Sequence, residues 1–507
     1  MAFIYHKNNA LDENRNKEIK IEWQNCFSSQ SKFLQLSIAF VTMAFCFLLL
    51  ITNIIFNLNS YFLCGLGVII FFFAISSAPV YKHIDKISNN LWGVGFGILN
   101  IFLHLLYAGF SHNKVTQISD FLITLTVAET GEVSDFITYY KIAPHKFLYP
   151  FVLHHLGLDN QNSIIVFQAI VVSVAVFFIY CITARYFSKG AAIAASFLYT
   201  FFPGRLMYSS IVNEEHVSVD IILLVILLSF YLVDSIESKQ ENWSYIIKNI
   251  VLSVFIGIIS GVGVFFKDWS IIFLIAFLIT SLLDFGKERR RKILLFFCIG
   301  IILAARMGTK KITFNFIENT LRNEVHRNAL PMYMFYTLYP TSNGAYNADL
   351  LQYCIDSYES NDWDYKVTDK ELLLELSEEL KKHKNLIIPL LFNKGRMAYG
   401  NASILGGWAF NEYTAEFRDS NKKLCSLIGR WDDIWFITIL MMSGIVSVAN
   451  VWVKDKKIFL LNLTLLGCIL SVVFIEGQGR YKYSILPVWC IFAGILLKNE
   501  ILKFLKK

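Results

Sequence analysis

The residues that decide the reading are WGVGFGILNIFLHLLYAGF (92–110) followed by SHNKVTQISDFLITLTVAETG (111–131). The first segment holds no Asp, Glu, Lys or Arg and has the length of a helix crossing a hydrocarbon core, about 20 residues. The second turns polar at once and presents Ser119-Asp120 just past the exit of the span. Carboxylates are costly in lipid, and those kept at its edge tend to line sites.

Similar apolar runs recur along the chain. Of its 507 residues, 55% are hydrophobic, more than a soluble fold of this size uses. Lipid admits only helices or closed barrels, because every backbone amide and carbonyl must be satisfied internally. These runs are too long and too evenly apolar for alternating barrel strands. The chain therefore reads as an all-α polytopic membrane protein of about twelve spans. They are placed at 33–57, 61–79, 92–110, 163–184, 190–204, 216–233, 249–266, 269–285, 293–306, 434–453, 458–475 and 484–498. Gly257, Gly261 and Gly263 give the seventh room for close packing.

Charge sets the orientation. The net charge of +7 is carried largely by short loops between spans, which points to topology and away from nucleic acid. With the N-terminus in the cytoplasm, the cytoplasmic turns hold Lys82 and Lys86, Arg185 and Lys189, Lys239 and Lys248, 287–292, and Lys454, Lys456 and Lys457. The short external turns hold few basic residues: Arg205, Lys267, Arg480 and Lys482. Basic residues there oppose the bias and ask for a reason.

The expected organisation is a cytoplasmic segment 1–32, a transmembrane bundle 33–306 with an external loop 111–162, a second external loop or small domain 307–432, and C-terminal spans with a basic tail 433–507. Residues 1–32 show no cleavable signal, so the first span is expected to direct insertion. Thr368-Asp369-Lys370-Glu371 has the form of a capping box. Leu373, Leu376 and Leu380 then predict an amphipathic helix to Lys384, lying on the membrane or on the bundle. No phosphate-binding glycine loop is present, which argues against ATP-driven transport. Of nine cysteines, Cys46, Cys64, Cys181, Cys298, Cys468 and Cys490 read as small core residues, while Cys354 and Cys425 share one loop and could pair.

Four external features can meet around one cavity. They are Asp120, the run Asn213-Glu214-Glu215-His216 with Asp220 a turn deeper, the turn Lys267-Asp268, and Glu476-Gly477-Gln478-Gly479-Arg480-Tyr481-Lys482. Each has a bland reading. Asp120 could cap a helix, the glutamates could form a solvated turn, and Asp220 could pair with a neighbouring span. Lys267 could snorkel, and Arg480-Tyr481 could anchor at the interface. Together, carboxylates and cations at one membrane edge suit a reaction in which a hydroxyl loses a proton and a phosphate leaves.

Ser119-Asp120, Ala128, Gly131, Asn213-Glu214 at a span entry, and Glu476 with Arg480-Tyr481 before Pro487 together resemble the GT-C superfamily. More narrowly, the pattern is similar to bacterial relatives of the protein O-mannosyltransferases and the aminoarabinose transferase. Two spans precede the one leading into Asp120, so the resemblance requires a two-span N-terminal addition. It implies a GT-C-like bundle in the bacterial plasma membrane, both termini cytoplasmic, with an external active site. It also implies a polyprenyl-phosphate-linked sugar as donor and an envelope polysaccharide, protein or lipid as acceptor, with inversion of configuration. Asp120 would be the general base. Arg480, Lys267 and Lys482 would bind the departing phosphate. Glu214, Glu215, Asp220, Glu476 and Tyr481 would position substrates. A monophosphate donor needs no metal in principle, so the resemblance leaves a metal open.

The rival class is a flippase or exporter of lipid-linked or soluble sugars. Such carriers place their charges near the bilayer midplane on repeated broken spans, and no such repeat is present. A non-catalytic scaffold predicts that the four features stay apart.

Overall fold

The computed structural model describes residues 88–238, 243–283, 289–399, 409–453, 455–471, 475 and 477–497. The spans read at 33–57 and 61–79, residues 1–32, Cys46, Cys64, the tail from 498 and Glu476 lie outside the described residues. Within them every regular element is helical. The exception in pattern is an isolated antiparallel bridge between Val115 and Tyr413.

Helix α1 (Asn89–Ser111) begins where the Ser88 hydroxyl accepts from the Leu91 amide, satisfying one of the donors a helix start leaves over. Helix α2 (Ser119–Thr130) carries Asp120 in its first turn and stops at Gly131, left-handed at φ 70°. Short helices α3 (Ile137–Ile142) and α4 (Leu148–His155) fold the segment between α2 and α5 back on the bundle. Helix α5 (Gln161–Tyr186) is capped by Asn160 and α6 (Lys189–Thr200) by Ser188. Pro203 opens α7 (Pro203–Tyr208). The span read at 190–204 is therefore broken, because proline has no amide to continue α6. Then come α8 (Glu215–Glu237), α9 (Trp243–Gly263), α10 (Ser270–Leu283) and α11 (Arg289–Leu321). The remainder comprises α12 (Leu330–Leu338), α13 (Ala348–Ser360), α14 (Tyr365–Lys382), α15 (Lys384–Tyr399), α16 (Ala415–Ser420), α17 (Lys422–Val453), α18 (Lys456–Ser471) and α19 (Leu486–Leu497).

Among the described residues, five stretches have the length and composition to cross a membrane: Leu91–Ser111, Gln161–Tyr186, Glu215–Glu237, Trp243–Phe266 and Arg291–Leu321. Helices α10 and α19 are shorter apolar helices.

Small residues bring these helices together, as expected where packing rather than water drives association. A Cβ on Gly494 of α19 would lie 2.4 Å from the Ala191 carbonyl of α6. A Cβ on Gly257 of α9 would lie 2.5 Å from the Ile302 carbonyl of α11, and one on Gly261 2.6 Å from Thr309 Cβ. Polar side chains add ties across apolar faces. Asn100 of α1 donates to Ser173 Oγ of α5 at 2.8 Å. Fully buried Arg205 of α7 donates to Asn100 and to the Thr200 carbonyl, and its guanidinium lies 4.4 Å above the Tyr199 ring. This basic residue, which opposes the expected charge bias, thus has a structural reason for its place.

The segment read at 307–432 departs from the sequence reading at three points. Helix α11 does not stop at 306 but runs to Leu321, where Arg322 turns left-handed at φ 53°. Helix α17 likewise starts at Lys422, so the divisions drawn at 306/307 and 432/433 fall inside helices. Helix α14 starts at Tyr365, with the Asp364 carboxylate accepting from the Lys366 and Val367 amides. Thr368 sits inside the helix, its hydroxyl on the Asp364 carbonyl, so it is no N-cap. The side chain that reaches the free amides first wins the cap.

Leu372 and Leu376 of α14 are buried with Met332, Phe335, Cys354, Tyr358 and Leu390, while Leu373 faces outward. The amphipathic face therefore packs on α12, α13 and α15 rather than on lipid. Cys354 and Cys425 are both free thiols.

Gly257→Ala is expected to lower stability by about 1–3 kcal/mol through overpacking against α11, read as a fall in Tm in detergent. Gly300→Ala, whose Cβ would meet nothing within 4 Å, should leave Tm unchanged or slightly raised.

Candidate active site

Three carboxylates and three cations interleave at one end of the bundle. Asp120 Oδ2 lies 2.5 Å from Lys146 Nζ and 3.2 Å from Arg480 Nη1. Lys146 Nζ reaches Glu214 Oε1 at 3.3 Å. Glu215 pairs with Lys267, lies 3.8 Å from Arg480 Nε, and accepts from the Tyr208 hydroxyl at 2.8 Å. Lys267 Nζ stands 4.2 Å from the Tyr481 ring centroid, and Arg480 lies over Phe121 and Tyr481 at 5.2 and 5.7 Å. All six charged side chains are less than one fifth exposed.

Each contributor is placed by its own local structure. Ser119-Asp120 does not act as a cap. The cap position is Ile118, without a side-chain bond, and Asp120 occupies the first turn. The turn before α8 is held by Gln168 of α5, whose amide donates to the Ser209 and Ile211 carbonyls and accepts from the Asn213 amide. Gln117 bridges the Asp120 loop to that same turn, donating to the Ser210 carbonyl and accepting from the Val212 amide. Lys267 follows a single 3-10 turn and takes φ 69°. Its neighbour Asp268 is turned away to pair with Arg306 of α11. The turn carrying Arg480 is tied to α8 through Tyr483 and His216 at 2.9 Å. Gly477 is required there, since a Cβ would lie 2.8 Å from the Lys394 carbonyl of α15.

Burial opposes these charges, and at Asp120, Glu214 and Lys146 the neighbours decide the outcome, whereas Lys267 is brought well below the usual lysine range by burial, with Arg480 and Lys146 adding to it. Burial works to raise Asp120, but Arg480 and Lys146 overcome it and hold the carboxyl well below the usual carboxylate range. Burial likewise opposes ionisation of Glu214, but Lys146 and Lys267 hold it below its ordinary value. Lys146 is raised well above the usual lysine range: against burial, Asp120 and Glu214 favour its charge. His145 is pushed down to about 4 by burial and by Lys146 beside it.

The structure brings together Asp120, Glu214, Glu215, Lys267, Arg480 and Tyr481. It separates two of the expected residues from them. Lys482 points the other way from the same 3-10 turn, with Nζ 4.5 Å from the Phe436 ring centroid. Burial brings it down to about 8, opposed by Asp432 and Asp433 of α17. Asp220 lies a turn deeper on α8, in electrostatic reach of Tyr199 and Tyr483. Its Oδ1 has no hydrogen-bond partner. Glu476 lies outside the described residues. The residue that sequence reasoning missed is Lys146, which joins Asp120 to Glu214. A signal existed, for Lys146 is a basic residue in the loop 111–162 read as external, against the expected charge bias. Among the described residues, no three His, Cys, Asp or Glu side chains group as metal ligands.

Among the described residues, a helical bundle with a buried cluster of paired carboxylates and basic side chains at one end defines a class of membrane proteins before it defines a family. Residues 148–307 match the family described as dolichyl-phosphate-mannose-protein mannosyltransferase. The match covers about a third of the chain and shows what this segment is similar to. The matched segment holds Glu214, Glu215 and Lys267, while Asp120 and Arg480 flank it in the chain.

No curated protein matches the chain. Among solved structures it is similar to the archaeal oligosaccharyltransferase AglB from Archaeoglobus fulgidus in complex with an inhibitory peptide and a dolichol-phosphate. The two are 12% identical, with a TM-score of 0.43, over 80% of this chain and 50% of that one. A second is the Archaeoglobus fulgidus oligosaccharyltransferase tethered to an acceptor peptide containing the NVT sequon. It is also 12% identical, with a TM-score of 0.44, over 80% of this chain and 49% of that one. The chain thus spans about half the length of these solved structures.

Lys146→Met leaves two buried carboxylates facing each other and is expected to cost about 3–5 kcal/mol at pH 7. The depressed carboxylates stabilise the wild type above their unfolded values and lose that contribution as pH falls through their folded values. The gap between wild type and variant should therefore narrow once the pH falls below the unfolded carboxylate values of about 4, as measured by thermal unfolding between pH 2 and 7.

Proposed function

We propose that the chain transfers a sugar from a polyprenyl-phosphate-linked donor to an acceptor hydroxyl at the external face of a bacterial plasma membrane. The reading takes about twelve spans, both termini in the cytoplasm, and an envelope polysaccharide, protein or lipid as acceptor. One observation carries it: Asp120 and Arg480, 360 residues apart, meet across Lys146, Glu214, Glu215 and Lys267.

The chemistry follows from that meeting. Asp120 takes the proton of the acceptor hydroxyl as its oxygen attacks the anomeric carbon. The bond from that carbon to the phosphate oxygen breaks, and the electron pair leaves with the lipid phosphate. The attack comes from the face opposite the leaving group, so configuration inverts. Arg480 offers a planar fork that suits phosphate oxygens better than a point charge, and Lys267 stands beside it. Glu214 and Glu215 order sugar or acceptor hydroxyls, and Tyr481 offers a ring face to the sugar.

In the free protein Arg480 is engaged with Asp120, which makes Asp120 a weak base. A donor phosphate competes for Arg480 and so returns basicity to Asp120. Donor binding thereby prepares the base, which favours donor before acceptor.

Two measurements test this. In detergent with radiolabelled polyprenyl-phosphate sugars and envelope extract, Asp120→Asn should lower transfer about 10²–10⁴-fold with donor binding retained. Equal transfer by both would sink the role of Asp120, and lipid-linked sugar movement in vesicles without transfer would support the carrier instead. In the pH dependence, the free enzyme's kcat/KM should show no acid limb from Asp120 above pH ~4, because its carboxyl is held down. The acid limb of kcat, reporting the donor-bound state, should lie higher.

A further inference from the structure

The backbone leading into Asp120 is under constraint. Between α1 and α2, the non-glycine residues Asn113, Gln117 and Ser119 all have positive φ, at 57°, 50° and 54°. Such residues persist only where their surroundings over-determine them. What over-determines these is a distant strap, residues 412–414, lying just before α16. The Thr116 amide and hydroxyl donate to the Glu412 carbonyl at 2.8 and 3.1 Å, and the Thr414 amide donates to the Lys114 carbonyl at 2.9 Å. The Tyr413 and Tyr107 hydroxyls pair, anchoring the strap to α1.

The decisive contact is a side chain. The Ile118 amide donates to Glu412 Oε2 at 2.6 Å. Ile118 is the cap position of α2, and it has no side-chain cap of its own. In a capping box, a glutamate three residues into the helix reaches back to that amide. Here a buried glutamate 294 residues away takes its place.

We propose that Glu412 is a positioning residue for the transfer: by capping α2 from outside, it fixes the turn that aims the Asp120 carboxylate. The second external segment thereby sets the geometry of the base. This rests on Asp120 being the base. Burial pushes the Glu412 carboxyl up to about 7, the Ile118 amide pulls it down, and Asp120 and Arg480 act on it in opposite senses. A neutral acceptor in its place should therefore still serve.

The test compares wild type with Glu412→Ala and Glu412→Gln in detergent, by steady-state transfer and by hydrogen exchange of the peptide 113–121. Glu412→Ala should lower kcat about 10–100-fold, as misplacement of a reacting group by ~1 Å does. Its donor KM should stay within about threefold, and exchange in 113–121 should rise about tenfold or more. Glu412→Gln, which keeps an acceptor oxygen, should restore both kcat and protection, with Tm near wild type showing that the fold is intact.

Unchanged exchange in Glu412→Ala would overturn the cap. Raised exchange with wild-type kcat would overturn the positioning role. A Gln variant as poor as Ala would also overturn it. Asp120→Asn, measured alongside, separates the two ideas: full activity there sinks the base, whereas the exchange readout still judges the strap.

Discussion

The structure depends on the mutual neutralisation of six buried charges. Taking a carboxylate or an ammonium out of water costs several kcal/mol each after relaxation, of order 20 by an idealised solvation estimate. No pair here would repay that alone. Asp120 shares Lys146 and Arg480, Lys146 shares Asp120 and Glu214, and Glu215 takes Lys267 and leans toward Arg480. Asp120, Lys146, Glu215 and Arg480 thus each face two partners, and Glu214 and Lys267 one each. The chain segments that carry them, in the first external loop, at the entry to α8, after α9 and before α19, are held in one place by the same balance.

Around this cluster the fold spends its remaining polar side chains as braces. Gln117 and Gln168 bind the backbone at 209–213 from two sides. Arg306 takes Asp268 and the Ser260 carbonyl, so the turn bearing Lys267 is held from α11. His216 and Tyr483 join α8 to the turn of Arg480. These are amide, hydroxyl and ring contacts inside apolar surroundings, where each is strengthened by the low dielectric and costly to leave unmade. A site built this way is rigid before any substrate arrives, as electrostatic stabilisation of a transition state requires.

The same balance makes the resting site quiet. A carboxylate shared by a guanidinium and an ammonium is a poor proton acceptor, and a guanidinium that holds a carboxylate is only partly available to phosphate. In the proposed reaction an anionic donor would change both facts at once, because it would supply the charge for which Arg480 and Lys267 otherwise use protein carboxylates.

The sequence by itself determined the class of fold. Apolar runs near 20 residues state it directly, since lipid solvation acts on local composition. It also singled out Asp120, Glu214, Glu215, Lys267, Arg480 and Tyr481, because charges at a membrane edge and basic residues on the external side need a reason. It could not sort those from Lys482 and Asp220. Neighbouring residues on a 3-10 turn point in different directions, and one helical turn of depth moved Asp220 toward Tyr199 and Tyr483. Lys146 entered only through the folding of the first loop, and the caps at Asp364 and Ile118 were decided by which acceptor arrived closest. Pairing and capping are contests between distant groups for the same atoms, and tertiary structure alone settles who wins them.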